Sequence, residues 1–201
     1  MPVIQNTGSI AGLGWEKYEA QMKQGDPHAF WVCGDRSSKR TLSSFSFASC
    51  VGLVLYGDVE GYGAVAHFWN PAGLAEATQI VDAYMAWLLR ETGGYCGDDV
   101  EAVVFGGTAL ASSTGVEYTQ PRIDAIADWL EQRWEMAVTR VDRGSVSVEL
   151  RLEGDGRLAD RVKFAFGVLS ARQHERHESA LSKANSSLNP GKTRQNRSGS
   201  Q

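Results

Sequence analysis

Two residues of the sequence, Cys50 and His67, are of the types that together perform nucleophilic chemistry. Cys50 stands immediately before an apolar run over residues 51–56, and His67 follows 17 residues later. A thiolate is the reactive form of cysteine, and a neighbouring imidazole can take up the thiol proton or stabilise the thiolate as an ion pair. Two adjacent strands could bring these positions within hydrogen-bonding reach. The sequence therefore predicts a thiol and imidazole pair for nucleophilic catalysis.

The elements that must position this pair are predicted from hydrophobic periodicity. The run over residues 51–56, bounded by glycines, is typical of a buried strand, and residues 64–69 return as the next strand after a turn over 57–63. Further segments rich in β-favouring residues predict strands over residues 29–33, 42–47, 101–105, 137–141, 146–152 and 162–166. These strands and the two helices described next predict an α+β fold in which packed mixed β-sheets are flanked by helices.

Two segments have the apolar spacing of helices that pack on a sheet. Residues 74–92 carry an apolar stripe that ends at Gly93 and Gly94, two residues suited to a helix C-terminus. The second stripe runs from Ile123 to Trp134, and Pro121 is suited to the first helical position before it. The strand over 101–105 ends at Gly106 and Gly107. We expect these glycines to let the backbone pass close to the active site or to a neighbouring element.

The residues around the pair resemble a known family. The segments are Ser44-Phe45-Ser46-Phe47-Ala48-Ser49-Cys50 and Gly63-Ala64-Val65-Ala66-His67-Phe68-Trp69-Asn70-Pro71. A cysteine at the start of an apolar strand, with a histidine 17 residues later in a Gly-Ala-x-Ala-His-Phe segment, resembles the chemoreceptor glutamine deamidases of the CheD family. The resemblance extends over roughly residues 28–160, through the first helix, the Gly106-Gly107 strand end and the second helix.

The resemblance implies a catalytic set of Cys50, His67 and Ser44. Ser44 stands six residues before Cys50, where the family usually has threonine. Serine keeps the hydroxyl that can hydrogen-bond to imidazole but lacks the methyl group that restricts the rotamer. Ser46 and Ala48 stand where the family has glycines. If those glycines need positive φ, the turn before Cys50 must differ in this chain.

The resemblance also implies a bacterial protein-glutamine deamidase that converts glutamine side chains to glutamate on the cytoplasmic domain of a methyl-accepting chemotaxis receptor. A chemotaxis phosphatase is an implied partner. Nucleophile, base and water suffice for amide hydrolysis, so we expect no cofactor and no metal. Because the substrate glutamine lies on a larger surface, we expect Cys50 and His67 to line a shallow groove.

Two other classes of function stay open at this point. A deamidase-like fold with the altered turn at Ser46 and Ala48 could act as a catalytically weakened module that binds a partner. A related Cys-His hydrolase, such as a thiol peptidase or a transglutaminase-like enzyme, would share Cys50 and His67 but act on another protein target. Analysis of the substrate's mass separates a hydrolysed side chain, a cleaved backbone and an amine adduct.

Composition sets wider limits on partners and location. The chain of 201 residues carries a net charge of −4, divided between a body of −8 and a basic stretch of +4 over residues 171–201. An acidic body argues against nucleic-acid binding. No apolar run approaches the roughly 18 residues of a membrane span, and the start has no signal-peptide pattern, so we expect a cytoplasmic protein without membrane insertion.

Length and cysteine usage complete the predicted organisation. We expect one deamidase-like domain over residues 28–170, preceded by an extension with a short helix over 1–27 and followed by a disordered basic tail over 171–201. Three cysteines make an odd number without secretory context, which is typical of free thiols. Cys33 and Cys96 have no matched histidine, so we expect both to be structural.

Overall fold

A computed structural model of the chain describes eight segments of the sequence. The predicted extension over residues 1–27 and the predicted tail over residues 171–201 lie outside these segments, as does Cys96. The segments are residues 29–35, 41–45, 47–57, 61–68, 74–94, 99–111, 113–153 and 157–166.

Seven strands of the described residues form one mixed sheet. In chain order they are β1 (Ala29–Gly34), β2 (Thr41–Phe45), β3 (Val51–Gly57), β4 (Tyr62–Phe68), β5 (Val100–Gly107), β6 (Ala137–Arg151) and β7 (Val162–Phe166). The order across the sheet is β1-β4-β3-β5-β6-β2, and β7 also pairs with β6. The β5–β6 pair is parallel and the other pairs are antiparallel.

The long strand β6 folds this sheet back on itself. Residues 137–145 of β6 pair with β5, whereas residues 147–151 pair with β2 on one side and residues 145–150 pair with β7 on the other. The register shifts around residues 145–147, as expected where a strand bends. A Cβ added to Gly63 of β4 would lie 2.6 Å from the side chains of Leu150 and Leu152. The second half of β6 therefore packs face to face on β4.

The two faces of the β3–β4 region border separate hydrophobic cores. The helix-side core lies under the helices α1 (Leu74–Thr92) and α2 (Ser113–Trp134) and contains Val51, Leu53 and Leu55 of β3. The sheet-side core lies inside the folded sheet and contains Cys50, Val54 and Tyr56. Successive strand residues point to opposite faces, so odd and even positions of β3 enter different cores. The α+β class predicted from the sequence is confirmed, with one folded sheet supplying both packed layers.

The apolar stripes predicted for the two long helices are buried. Gly93 has a φ of +78° and its N–H donates to the carbonyl of Leu89 at 2.8 Å, which ends α1 where the sequence predicted. The stripe residues are Ala77, Ile80, Val81, Tyr84 and Leu88 in α1 and Ile123, Ile126, Ala127 and Leu130 in α2. In the described part of the chain, no helix is both long and apolar enough to cross a membrane.

The predicted boundaries of α2 and β6 were wrong. Helix α2 begins at Ser113, so Pro121 lies inside the helix and not at its first position. Thr119, two residues before the proline, is fully buried, so packing continues across this point and sustains the helix. Strand β6 is continuous from Ala137 to Arg151, where two strands were predicted. The bend near Ser145 interrupts the polar and apolar alternation that the prediction relied on.

Candidate active site

The pairing of β3 with β4 places Cys50 and His67 on the same face of the sheet. His67 lies opposite Gly52 in the antiparallel register. Directly opposed residues point to the same side, and Cys50 is two positions from Gly52, so it shares that side. Diagonal neighbours of this kind are typically about 7 to 8 Å apart at their Cα atoms. The structure thus brings the predicted nucleophile and the predicted base to one side of two adjacent strands.

Ser44 reaches the same imidazole from the opposite layer of the folded sheet. Its Oγ lies 3.0 Å from Nδ1 of His67. Strand β2, which carries Ser44, pairs with β6 and not with β4, so this hydrogen bond crosses the sheet-side core. The bond fixes the orientation of the ring and couples its tautomer to the hydroxyl. Ser44 and His67 of the predicted set are therefore in direct contact, and Cys50 lies on the same face of the sheet as His67.

Phe47 packs against one face of the His67 imidazole, and it was not among the site residues predicted from the sequence. Its ring stacks on His67 with 3.9 Å between centroids and 11° between planes. Phe105 of β5 meets Phe47 edge-on at 4.8 Å and 64°. Phe47 lies beyond the end of β2 at Phe45, although residues 42–47 were predicted as one strand. A ring clamped between a hydroxyl and an aromatic face keeps few alternative rotamers.

Backbone hydrogen bonds fix the turn that leads into the nucleophile. Gly107 N–H donates to the carbonyl of Cys50 at 2.9 Å, and Ala109 N–H donates to the carbonyl of Ala48 at 3.0 Å. A Cβ on Gly107 would lie 2.2 Å from the carbonyl oxygen of Ala48. Only glycine fits there, so at Gly107 the backbone passes close to a neighbouring segment, which is one of the two alternatives predicted for the glycine pair.

Ala48 stands at one of the two positions where the resembled family has glycine. Among the described residues other than glycine, Glu135 alone has a positive φ. Ala48 therefore has backbone geometry that any residue can adopt. The other altered position, Ser46, lies outside the described residues.

A cation contacts the turn from the helix side. Nη1 of Arg122, in α2, donates to the carbonyl of Ser49 at 3.1 Å. The two residues are 73 positions apart, and no local spacing rule relates them. Sequence analysis therefore missed Arg122, although it adjoins the residue before the predicted nucleophile.

Burial dominates the electrostatics of the Cys50 thiol. It raises the pKa of Cys50 from the ordinary value of 9.0 to about 11, while a hydrogen bond from the Ala48 backbone and the charge of Arg122 act in the opposite direction. The resting thiol is therefore protonated at neutral pH. It can become a nucleophile when a base accepts its proton or when the charges around it change.

The expectation that Cys50 and His67 line a shallow groove was wrong. Cys50 is 1% exposed, His67 is 5% exposed and Ser44 is fully buried. Strands β3 and β4 run through the middle of a folded sheet, so their facing side chains are covered by the opposite layer.

The other described cysteine occupies a different environment. Cys33 is buried in the helix-side core, and burial raises its pKa to about 11. Cys33 lies on the face of the sheet opposite to that of His67. Within the described ranges, no group of three or more His, Cys, Asp or Glu residues is placed to hold a metal ion.

Comparison with solved structures gives distant likeness in fold. No protein-family model matches the chain, and no curated protein matches it. A crystal structure of the hypothetical protein YfiH from Bacillus licheniformis is similar, with a TM-score of 0.34 and 14% identity over 57% of this chain. The match covers 51% of that protein, so this chain spans about half of its length. Similarity at this level supports no conclusion about family or activity, and the resemblance to glutamine deamidases stays a prediction.

Proposed function

We propose that this protein is a thiol-dependent amidohydrolase that deamidates glutamine side chains of other proteins. The observation that carries the proposal is the hydrogen bond between Ser44 and His67, made on the face of the sheet that also carries Cys50. A buried histidine oriented by a hydroxyl, beside a buried free thiol, matches the arrangement of nucleophile, base and orienting group in covalent amide hydrolysis. Neither a metal nor an organic cofactor is needed for this chemistry.

In the proposed reaction, the Sγ of Cys50 attacks the side-chain amide carbon of glutamine, and the thiol proton passes to His67. The tetrahedral intermediate collapses when His67 gives that proton to the departing ammonia, leaving a thioester on Cys50. Water, deprotonated by His67, attacks the thioester carbon. The C–S bond then breaks, glutamate is released, and Cys50 regains a proton.

The burial of the site limits the kind of substrate that can react. A glutamine side chain is long and unbranched, so it can enter a narrow opening while its backbone stays on a larger surface. The resemblance found in the sequence makes the helical cytoplasmic domain of a chemotaxis receptor the first substrate to test, with a chemotaxis phosphatase as the first partner. We expect binding of that surface to displace the segments that cover Cys50.

A second function, that of a binding module without turnover, is favoured by one observation. The Cys50 thiol is buried and its pKa is about 11, so little thiolate exists at neutral pH in the resting protein. A protein that only docks on a partner needs no ionised thiol. The two functions differ in whether ammonia is released when the partner is bound.

The test is incubation of the purified protein with receptor cytoplasmic fragments, followed by ammonia measurement and peptide mass analysis. The proposal predicts ammonia release with conversion of defined glutamines to glutamates, lost in Cys50→Ala and in His67→Asn. The matched control is Cys33→Ala, which removes a buried thiol from the other core and keeps activity. Binding without ammonia release supports the docking module. A cleaved backbone or an amine adduct identifies a peptidase or a transglutaminase and overturns deamidation.

A further inference from the structure

Arg122 is the charged side chain that the structure connects most directly to the turn before the nucleophile. It lies on α2, which packs on the helix-side core, yet its guanidinium contacts the backbone of Ser49. The side chain is half-buried between the helix and this turn. Arginines elsewhere on the helix and on β6 are used differently. Arg133 lies over the ring of Trp134, and Arg140 bridges the exposed carboxylates of Asp128 and Glu131.

We propose that Arg122 is a positioning residue for Cys50, one that holds the Ser49 carbonyl and keeps a fixed positive charge beside the thiol when the proton leaves. This inference rests on the proposed function, because it assigns Arg122 a part in forming the nucleophile. Arg122 acts on the sulfur through the turn that carries Cys50 and through its positive charge.

The hydrogen bond from Arg122 completes the fixation of this turn. The carbonyls of Ala48 and Cys50 accept from the N–H groups of Ala109 and Gly107, and the carbonyl of Ser49 between them accepts from Arg122. Three consecutive carbonyls thus have donors from β5, from the short 3-10 helix Thr108–Ala111 that follows it, and from α2. A buried carbonyl without a donor costs roughly 1 to 3 kcal/mol, so each donor restricts the turn. Because these donors fix the backbone of the turn, they also restrict the position of the Cys50 sulfur.

The charge of Arg122 favours the thiolate, in opposition to burial. Its coulombic effect lowers the pKa of Cys50, after the larger effects of burial and of the Ala48 backbone. Guanidinium stays protonated across the working pH range, so this effect does not titrate away. The groups that face Arg122 are the thiol of Cys50, Tyr118 on the same helix and Glu76 in the first turn of α1. The groups that act on the Cys50 thiol against burial are the Ala48 backbone and Arg122.

The proton balance of the step shows where this charge is useful. The S–H bond of Cys50 breaks, the proton moves to His67, and the electron pair stays on sulfur. The product is a buried thiolate and imidazolium pair, which a low-dielectric environment disfavours unless further charges or dipoles stabilise it. A nearby guanidinium stabilises the anion and does not compete for the proton.

The test compares Arg122→Gln and Arg122→Lys with Arg133→Gln, a control on the exposed end of the same helix. Each protein is alkylated with iodoacetamide between about pH 7 and 9, and the rate at each cysteine is followed by peptide mass analysis. We expect Arg122→Gln to slow alkylation of Cys50 by about threefold or more, since half a pKa unit changes the thiolate fraction by that factor. Arg122→Lys keeps the charge and should recover at least half of the rate. Cys33 should react at the same rate in the parent protein and in all three variants.

A second readout follows the turn and does not need access to the thiol. Hydrogen exchange at the amides of Gly107 and Ala109 should become faster in Arg122→Gln and stay unchanged in Arg133→Gln. Unaltered exchange together with an unaltered alkylation profile overturns the proposal. If Cys50 resists alkylation in every protein, exchange alone decides the role of Arg122. An unreactive Cys50 thiol would then contradict the proposed deamidase activity and not the positioning role of Arg122.

Discussion

Ser44 Oγ lies 3.0 Å from Nδ1 of His67, although the strands that carry them are not neighbours in the sheet. The contact exists because β6 bends and brings β2 over β4. It joins the two layers of the sheet-side core at the site of the proposed chemistry. The stability of the fold and the orientation of the imidazole therefore depend on the same hydrogen bond.

The first prediction concerns this hydroxyl. Ser44→Ala leaves a buried ring nitrogen of His67 without the hydroxyl and should lower the free energy of unfolding by about 1 to 3 kcal/mol. It should also lower kcat about tenfold or more, a part of the roughly 10² to 10⁴ that a positioned acid–base group contributes. Urea unfolding and ammonia release measure the two effects.

The matched variant is Ser44→Thr, which keeps the hydroxyl and adds the methyl group that restricts its rotamer. We expect this variant to keep kcat within about threefold of the parent protein, because the rate follows the hydroxyl. Equal activity in Ser44→Ala and the parent protein would show that His67 needs no orienting group.

The second prediction concerns the close approach between β5 and the nucleophile turn. A Cβ at Gly107 would lie 2.2 Å from the backbone oxygen of Ala48, and backbone cannot move aside as a flexible side chain can. Gly107→Ala should therefore lower the free energy of unfolding by about 3 kcal/mol or more. It should also abolish ammonia release, because the turn that ends at Cys50 is displaced.

Gly94→Ala is the control for this substitution. An added Cβ at Gly94 meets nothing within 4 Å. The free energy of unfolding of Gly94→Ala should differ from that of the parent protein by less than about 1 kcal/mol, with activity retained. Thermal or urea unfolding compares the two variants directly. A Gly107→Ala protein as stable as Gly94→Ala would contradict the close approach of Gly107 to the backbone of Ala48.

Local patterns in the sequence predicted the elements that present Cys50 and His67. The apolar run of β3, the return strand β4 and the stripe of α1 depend on neighbours within a few residues, so periodicity reveals them. Contacts between distant segments were not predicted in this way. Ser44 and His67 are 23 positions apart, and Arg122 and Ser49 are 73 apart. Ser44 was named through a family resemblance, whereas the contacts of Arg122 and Phe47 join segments that no local pattern relates.

The third prediction comes from Pro121, which local rules placed at a helix start. Inside α2 the proline has no N–H to donate to the carbonyl four residues earlier, and its ring crowds that carbonyl. Pro121→Ala restores the donor. We expect the free energy of unfolding to rise by roughly 1 to 2 kcal/mol, since the helical gain is partly offset by a more flexible unfolded chain.

Urea unfolding of Pro121→Ala is best compared with Gln132→Ala, an exposed position of the same helix with no proline effect. The control should change stability by less than about 0.5 kcal/mol. A loss of stability in Pro121→Ala would show that the proline's ring makes packing contacts worth more than the missing hydrogen bond.

The fourth prediction concerns the pH dependence of stability. Burial raises the pKa of both Cys33 and Cys50 from 9.0 to about 11 in the folded protein. Between these values the unfolded chain loses thiol protons that the folded protein keeps. Unfolding is therefore favoured as pH rises. The stabilising contribution of each protonated thiol is complete below about pH 9 and is lost as pH rises towards 11, with a slope of at most about 1.4 kcal/mol per pH unit for each thiol.

Urea unfolding at about pH 8 and about pH 10 measures this loss, and cysteine variants identify its source. Cys50→Ala and Cys33→Ala each remove one titrating thiol, so each should lose less stability over this interval than the parent protein does. Other groups titrate in the same range, but they are common to all three proteins and cancel in the comparison. Parallel curves of stability against pH would mean that neither thiol changes its proton affinity on folding. A shallower curve for Cys50→Ala alone would place the whole effect in the sheet-side core, where the proposed reaction requires that same proton to leave.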